Sequence, residues 1–326
     1  QGGMAEVYLA KRSGIEGFAH LCVVKTILPT YANDRDFTEM FFDEARITVE
    51  LQHPNIVRVF DLDRDGDLVY LAMDFVNGMD ALSLMIECEE LGVTVPYGSA
   101  LFIISETLKG LHFAHSARDI EGSPLGLIHR DISPGNILLG LNGSVKLSDF
   151  GVARATISRR AEEPGLIVGK LRYFAPELLL GGEASTSSDV FAVGVCLFEM
   201  LAMEPLFPPA ENAVQQQMYL RNWHPEKVLE QHLNFPDGLD TILLRALAPD
   251  PVDRYPSALE FLEDVTDLAH ESQIRLGDQA MIHFLGEIKK TTDARAAVPR
   301  EPTTRFRDES RHGMTSSTRA PSVEKR

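Results

Sequence analysis

Cysteine is scarce in this sequence: Cys22, Cys88 and Cys196 are far apart and form no C-x-x-C pair. That spacing excludes a disulfide framework and a cysteine-built zinc site, and it leaves free thiols suited to a reducing compartment. Positive charge is also in short supply, with 31 Lys and Arg against 48 Asp and Glu and a net charge of −17. Nucleic acid and anionic membrane are therefore not expected partners, because both require a basic patch. The one basic run, Arg154 to Arg160, is short. Long apolar runs are missing as well. The longest, "VFAVGVCLF" from Val190, falls well below the ~20 residues of a membrane span. No signal-peptide pattern opens the sequence, so a cytoplasmic location is expected. The sequence begins at Gln1 inside a glycine-rich turn. It reads as a piece of a longer chain, whose remainder is where a membrane anchor would lie.

What is present describes an ordinary globular protein with a sizeable core: 44% hydrophobic and 24% charged residues. The first part reads as strands around one helix. "EVYLAKR" and "HLCVVKTIL" are rich in apolar and β-branched residues. "RDFTEMFFDEARITVELQ" has a spacing nearer 3.6 than 2, and His53-Pro54-Asn55 ends it. "IVRVFDLD" and "LVYLAMDF" form a strand pair around Arg64-Asp65-Gly66-Asp67. After the break at Asn77-Gly78, helical patterns dominate: "YGSALFIISETLKGLHFAH", "SDVFAVGVCLFEML", "PSALEFLEDVTDLA" and "DQAMIHFLGEIKK". Residues 291–326 turn to Thr, Ser, Pro and Arg. Such a stretch buries too little surface to offset its ordering entropy, so a disordered tail or linker is expected.

Several motifs carry chemistry. Gly2 and Gly3 in "QGGMAEVYLA" would let backbone amides approach phosphates, although a tight turn explains them equally well. Lys25 lies in the apolar strand "VVKTIL", where an ammonium needs a partner. Glu44 on the next helix is the candidate; a snorkelling surface lysine is the alternative. "HRDISPGN" spans His129 to Asn136 and is followed by "DFG" at Asp149-Phe150-Gly151. One carboxylate and the amide supply hard oxygens for Mg²⁺. The other carboxylate can orient an attacking hydroxyl and take its proton. This pattern points to phosphoryl transfer.

Taken together, the sequence resembles the eukaryotic-like Ser/Thr protein kinases of bacteria. "GGMAEV", "VVK", Glu44, "HPNIV", "HRD…N", "DFG", "APE" at Ala175-Pro176-Glu177, "SSDVFAVGV" and "DPVDRY" occur in that family's order over residues 1–275. The resemblance implies an α+β, two-lobed protein kinase fold. Residues 1–78 would form a small β-rich lobe with one main helix and the hinge, its first strand truncated. Residues 79–276 would form a larger helical lobe, with an extra helix over 277–290. The implied cofactors are ATP and Mg²⁺ or Mn²⁺, and the implied partners are proteins with Ser/Thr acceptors. A second copy of the chain is a candidate partner for autophosphorylation.

The resemblance also implies roles. Gly2, Gly3, Val7, Val23 and Lys25 would line the nucleotide, with Met73 as gatekeeper and Asp74 and Val76 as hinge contacts. Asp131 would be the catalytic base, and Asn136 and Asp149 the metal ligands. Glu177 would pair with Arg254, and Asp189 would support the catalytic loop. Ala5 stands where the family's third glycine usually falls. More consequential, Ser133 stands where the family carries a lysine, and Lys170 in "GKLRYFAPE" stands where it carries a threonine. The two side chains read as an exchange that returns a cation to the phosphoryl site from the other side; two independent changes are the alternative. Arg130 would pair with a phosphorylated activation-loop residue, for which Thr156 and Ser158 are the candidates. The expected function is a Mg-ATP-dependent protein Ser/Thr kinase. The alternative is a weak pseudokinase serving as an ATP-binding scaffold.

Overall fold

The structure, a computed structural model, describes residues 5–13, 19–28, 35–65, 68–119, 121–150, 171–210, 212–230 and 235–297. A four-stranded antiparallel sheet opens the fold. Its strands are β1 (Ala5–Ser13), β2 (Ala19–Ile27), β3 (Val59–Asp65) and β4 (Leu68–Asp74), in the order β1-β2-β4-β3. The helix α1 (Arg35–Glu50) packs on it. Phe41 and Ala45 of α1 meet Ile27, Val59, Val69 and Leu71 in a small apolar core of their own. This is the β-rich lobe.

The larger lobe is helical. α2 (Ala81–Leu91) starts at an Asp80 N-cap, whose carboxylate accepts the Ser83 amide, and stops at Gly92 in the left-handed conformation. α3 (Tyr97–His115) and α5 (Thr186–Ala202) run through the centre; α4 is the short turn Pro176–Leu179. α5 is buried from Ser188 to Leu201, which is why its sequence shows no polar stripe. Ser185 and Ser188 close its first turn as a reciprocal capping box. Around these lie α6 (Ala213–Arg221), α7 (Pro225–Leu229), α8 (Leu239–Ala246) and α9 (Ala258–Glu271). A second, three-stranded sheet joins β5 (Gly78–Asp80), β6 (Ile137–Gly140) and β7 (Val145–Leu147) in that order.

The last helix differs from expectation. α10 runs Asp278–Ala297 rather than stopping at 290. Composition marks Thr291 onward as tail, but local and tertiary bonds hold it. The Thr291 hydroxyl donates to the Glu287 carbonyl, Thr292 to the Glu87 carboxylate and Arg295 to the Glu90 carbonyl. Within 291–297, Thr292 and Arg295 thus grip α2, and the rest of the expected tail, 298–326, lies outside the described residues. Helices α6, α7 and α8 carried no sequence expectation: α6, "AVQQQMYLR", has too few apolar residues to show a stripe.

Candidate active site

One buried carboxylate organises the loop that runs from His129 to Asn136. Asp189, in the first turn of α5, is 2% exposed. It accepts the backbone amides of His129 and Arg130 and the His115 Nε2–H, each at 2.8 Å. Arg130 is held at φ 66° and Asp149 at φ 62°, a left-handed conformation costly for residues with a Cβ. Such strain persists only where surrounding bonds over-determine it. At Arg130 those bonds are visible in Asp189.

His129 is wholly buried and acts as a spacer between two loop segments. Its Nε2 lies 3.0 Å from the Ser148 carbonyl, so that nitrogen carries the hydrogen. Its Nδ1 is then the acceptor for the Asp131 amide at 3.3 Å. Accepting at Nδ1 requires the neutral ring, and the Nε2–H bond fixes which tautomer it is. Burial lowers the His129 pKa, against an opposing pull from Asp189, Asp131 and Asp149. The Phe150 ring, 1% exposed, tilts against His129 at 4.4 Å between centroids.

The polar groups converge from three segments. Asn136, in the 3₁₀ turn Pro134–Asn136, donates its side-chain amide to the Asp131 carbonyl at 2.6 Å and to Asp131 Oδ2 at 3.0 Å. Its own backbone carbonyl accepts the Ser148 amide at 3.0 Å, which ties the loop to the segment carrying Asp149. Across the lobes, Lys25 Nζ reaches Asp149 Oδ1 at 2.6 Å. Ser133 is buried, and its backbone carbonyl accepts the Asn136 amide. With the amide hydrogens of Asn136 turned to Asp131, its Oδ1 is the end that faces elsewhere. Asn136 and Asp149 thus supply hard oxygens of the kind Mg²⁺ takes when phosphates complete its shell.

Sheet register assembles an apolar surface beside these groups. Val7 lies opposite Lys25 and Leu9 opposite Val23, while Met73 and Leu71 flank Val23 and Lys25 from β4. All six residues share one face, because directly paired residues and alternate residues point the same way. Val7 and Leu9 are each 60% exposed there. Asp74 ends β4 and donates its amide to the Arg58 carbonyl; Val76 follows in the segment linking the two sheets. Leu9 was not a sequence candidate, although its alternation with Val7 is the signal for it.

Below the site, Arg254 and Glu177 form a bidentate ion pair at 2.8 and 2.9 Å. The remaining Arg254 donors go to the carbonyls of Ala248, Pro249 and Ser187, so all five N–H groups have acceptors. The Arg254 side chain is 0% exposed, a position tolerable only with such complete pairing. A second buried cluster had no sequence expectation. Glu199 accepts the Tyr173 hydroxyl at 2.7 Å and pairs with Arg172 at 3.3 Å; burial raises the Glu199 pKa. His115 and Ser148 were also missed. His115 belongs to no motif and Ser148 stands just before "DFG", so each is marked only by its bonds in the fold.

Gly2, Gly3, Thr156, Ser158 and Lys170 lie outside the described residues, as does the Glu44 side chain, so the Lys25–Glu44 and Ser133–Lys170 pairings do too. Among the described residues, no helix is long and apolar enough to cross a membrane.

The family model described as protein kinase domain matches residues 1–265. Tyrosine-protein kinase MasK of Myxococcus xanthus is 38% identical over 87% of this chain and 44% of its own. Serine/threonine-protein kinase PrkC of Bacillus subtilis is 32% identical over 92% of this chain and 45% of its own. The chain thus spans less than half the length of these curated relatives. Among solved structures, the PknI kinase domain of Mycobacterium tuberculosis aligns at TM-score 0.58 with 28% identity, covering 82% of this chain and 93% of that one. With its motifs, its two lobes and these similarities in agreement, the chain belongs to the eukaryotic-like protein kinases of bacteria.

Proposed function

We propose that this chain transfers the γ-phosphoryl group of Mg-ATP to Ser and Thr hydroxyls of proteins. The observation that carries this reading is two bonded pairs, Asn136 on Asp131 and Lys25 on Asp149, whose segments are joined by the Ser148 amide on the Asn136 carbonyl. In this reading Asp131 orients the acceptor hydroxyl and takes its proton. The hydroxyl oxygen bonds to the γ-phosphorus while the bond to the β–γ bridging oxygen breaks and ADP leaves. Asn136 holds the Asp131 carboxylate in place and, with Asp149, offers oxygens to magnesium. When bound, the metal offsets phosphate charge. Lys25 takes the α- and β-phosphates, Val7, Val23 and Met73 contact the adenine, and Asp74 and Val76 offer it hinge backbone groups.

The exchange of Ser133 and Lys170 is part of this proposal. A cation near the equatorial oxygens stabilises the developing charge from either side, and losing it costs on the order of 2.7–4 kcal/mol. Lys170→Ala is expected to lower kcat, and Ser133→Lys combined with Lys170→Thr to recover more than either single variant. An unaltered kcat in Lys170→Ala, or no recovery in the double variant, would refute the exchange. Arg130, facing phosphorylated Thr156 or Ser158, is the proposed activation contact.

The acceptor class is tested directly by phosphoamino-acid analysis after incubation with Mg-ATP and a generic protein substrate. Phosphoserine and phosphothreonine are expected. Phosphotyrosine alone would contradict the assignment and side with the relative named a tyrosine kinase. Mg-ATP binding without transfer would favour a scaffold.

A further inference from the structure

The helix α10 lies beyond the residues matched to the kinase family, which end at 265. It nevertheless packs as part of the core: Met281 and Leu285 are 0% and Ile288 4% exposed. Its position along the β5–β6–β7 sheet links it to the site. β6 begins directly after Asn136, β7 ends at Leu147 just before Ser148 and Asp149, and β5 follows the hinge segment. One small sheet therefore carries both candidate metal ligands and the exit of the hinge.

α10 approaches this sheet at both ends, meeting the β6–β7 turn near its start and facing β5 across a cavity near its end. Near its start, Asp278 and Ile282 close over Gly143 in the β6–β7 turn. Gly143 has φ +82°, and a Cβ there would lie 2.8 Å from the Asp278 Cβ and 3.0 Å from Ile282 Cγ1. Only glycine lets helix and turn approach so closely. Near its end, Thr292 and Asp293 face Gly78, Met79 and Leu141 across a cavity of about 200 Å³. Thr292 also donates to Glu87 Oε2 at 2.6 Å, and Arg295 to the Glu90 carbonyl at 3.0 Å. Both acceptors lie on α2, the helix that continues β5.

We propose that α10 is a positioning helix for nucleotide and metal binding. Docked, it holds the sheet so that Asn136, Asp149 and the hinge keep their mutual placement. Pulled away, it loosens that sheet and weakens Mg-ATP binding. Whatever follows residue 297 in a longer protein would then be mechanically connected to the nucleotide site through this helix. The proposal rests on the Mg-ATP kinase reading above.

Two full-chain variants test it. Thr292→Glu places a second carboxylate beside Glu87; Leu285→Asp places a charge in the buried face. Hydrogen exchange over residues 281–288 reports undocking, and Mg-ADP affinity is measured apart from phosphate transfer. With undocking, KM for Mg-ATP and Kd for Mg-ADP are expected to rise about five- to tenfold, with KM for the protein substrate unchanged. Undocking with unchanged nucleotide affinity, or a fall in melting temperature alone, overturns the proposal. Full helix protection in both variants also overturns it, because these contacts are what hold α10. Failure of the unmodified chain to bind Mg-ATP would instead bring down the kinase reading itself.

Discussion

Asp189 and His129 act on the catalytic loop without being placed to touch a substrate. Asp189 takes two backbone amides and one imidazole hydrogen, and His129 joins the Asp131 amide to the Ser148 carbonyl. The His129 arrangement has a pH consequence. Its pKa is lowered by burial, whereas an unfolded histidine titrates near about 6.5. Below that pH the unfolded chain binds more protons than the folded one, so stability is fully present above it and falls as pH drops towards the folded pKa. His53, lowered mainly by burial, acts in the same direction. Ring nitrogen shifts from NMR should show His129 as neutral Nε2–H at pH 6.5; a half-protonated ring there would contradict the bonding described. At this scale the sequence is legible where a motif fixes chemical type, as in Asp131, Asn136 and Asp149. It is silent on His115 and Glu199, whose partners, Asp189 and Tyr173, come from distant positions.

Among the elements, the small sheet β5–β6–β7 matters most to the site. Gly78 marks its beginning, paired with Gly140. A Cβ at Gly78 would run into the Leu139 carbonyl oxygen, a backbone atom that cannot swing aside. Gly78→Ala should therefore force β5 off β6, at a cost of about 1–3 kcal/mol. Urea unfolding would show the loss, and a midpoint equal to that of the unmodified chain would refute the packing. From sequence alone, Asn77-Gly78 reads only as a break between lobes. The close approach that demands glycine depends on a strand some sixty residues later in the chain. α1, α3 and α5 were legible because their apolar residues recur at helical spacing or fill a continuous run. The far end of α10 was not, because polar residues of tail-like composition become ordered once α2 supplies acceptors.

For the whole molecule, two apolar cores sit in two lobes. Among the described residues, the contacts that join them include the bridge between Ile56 and Leu147, beside Asn55, whose side-chain amide donates to Glu106 and to the Val145 carbonyl. The Lys25–Asp149 contact is another. The motif "HPNIV", legible in sequence as a helix stop, is in the fold the segment that seats the small lobe on the large one. These junctions bring Lys25 to residues more than a hundred positions away, which motif order alone could imply but not measure. The central claim is that this convergence is a phosphoryl-transfer site with Asp131 as its base. The measurement that tests it most directly is transfer from labelled Mg-ATP to a generic protein, comparing the unmodified chain with Asp131→Asn while Mg-ADP affinity is followed in both. A loss of about 10²–10⁴ in rate with affinity retained is the predicted result. Equal rates in the two chains would contradict it.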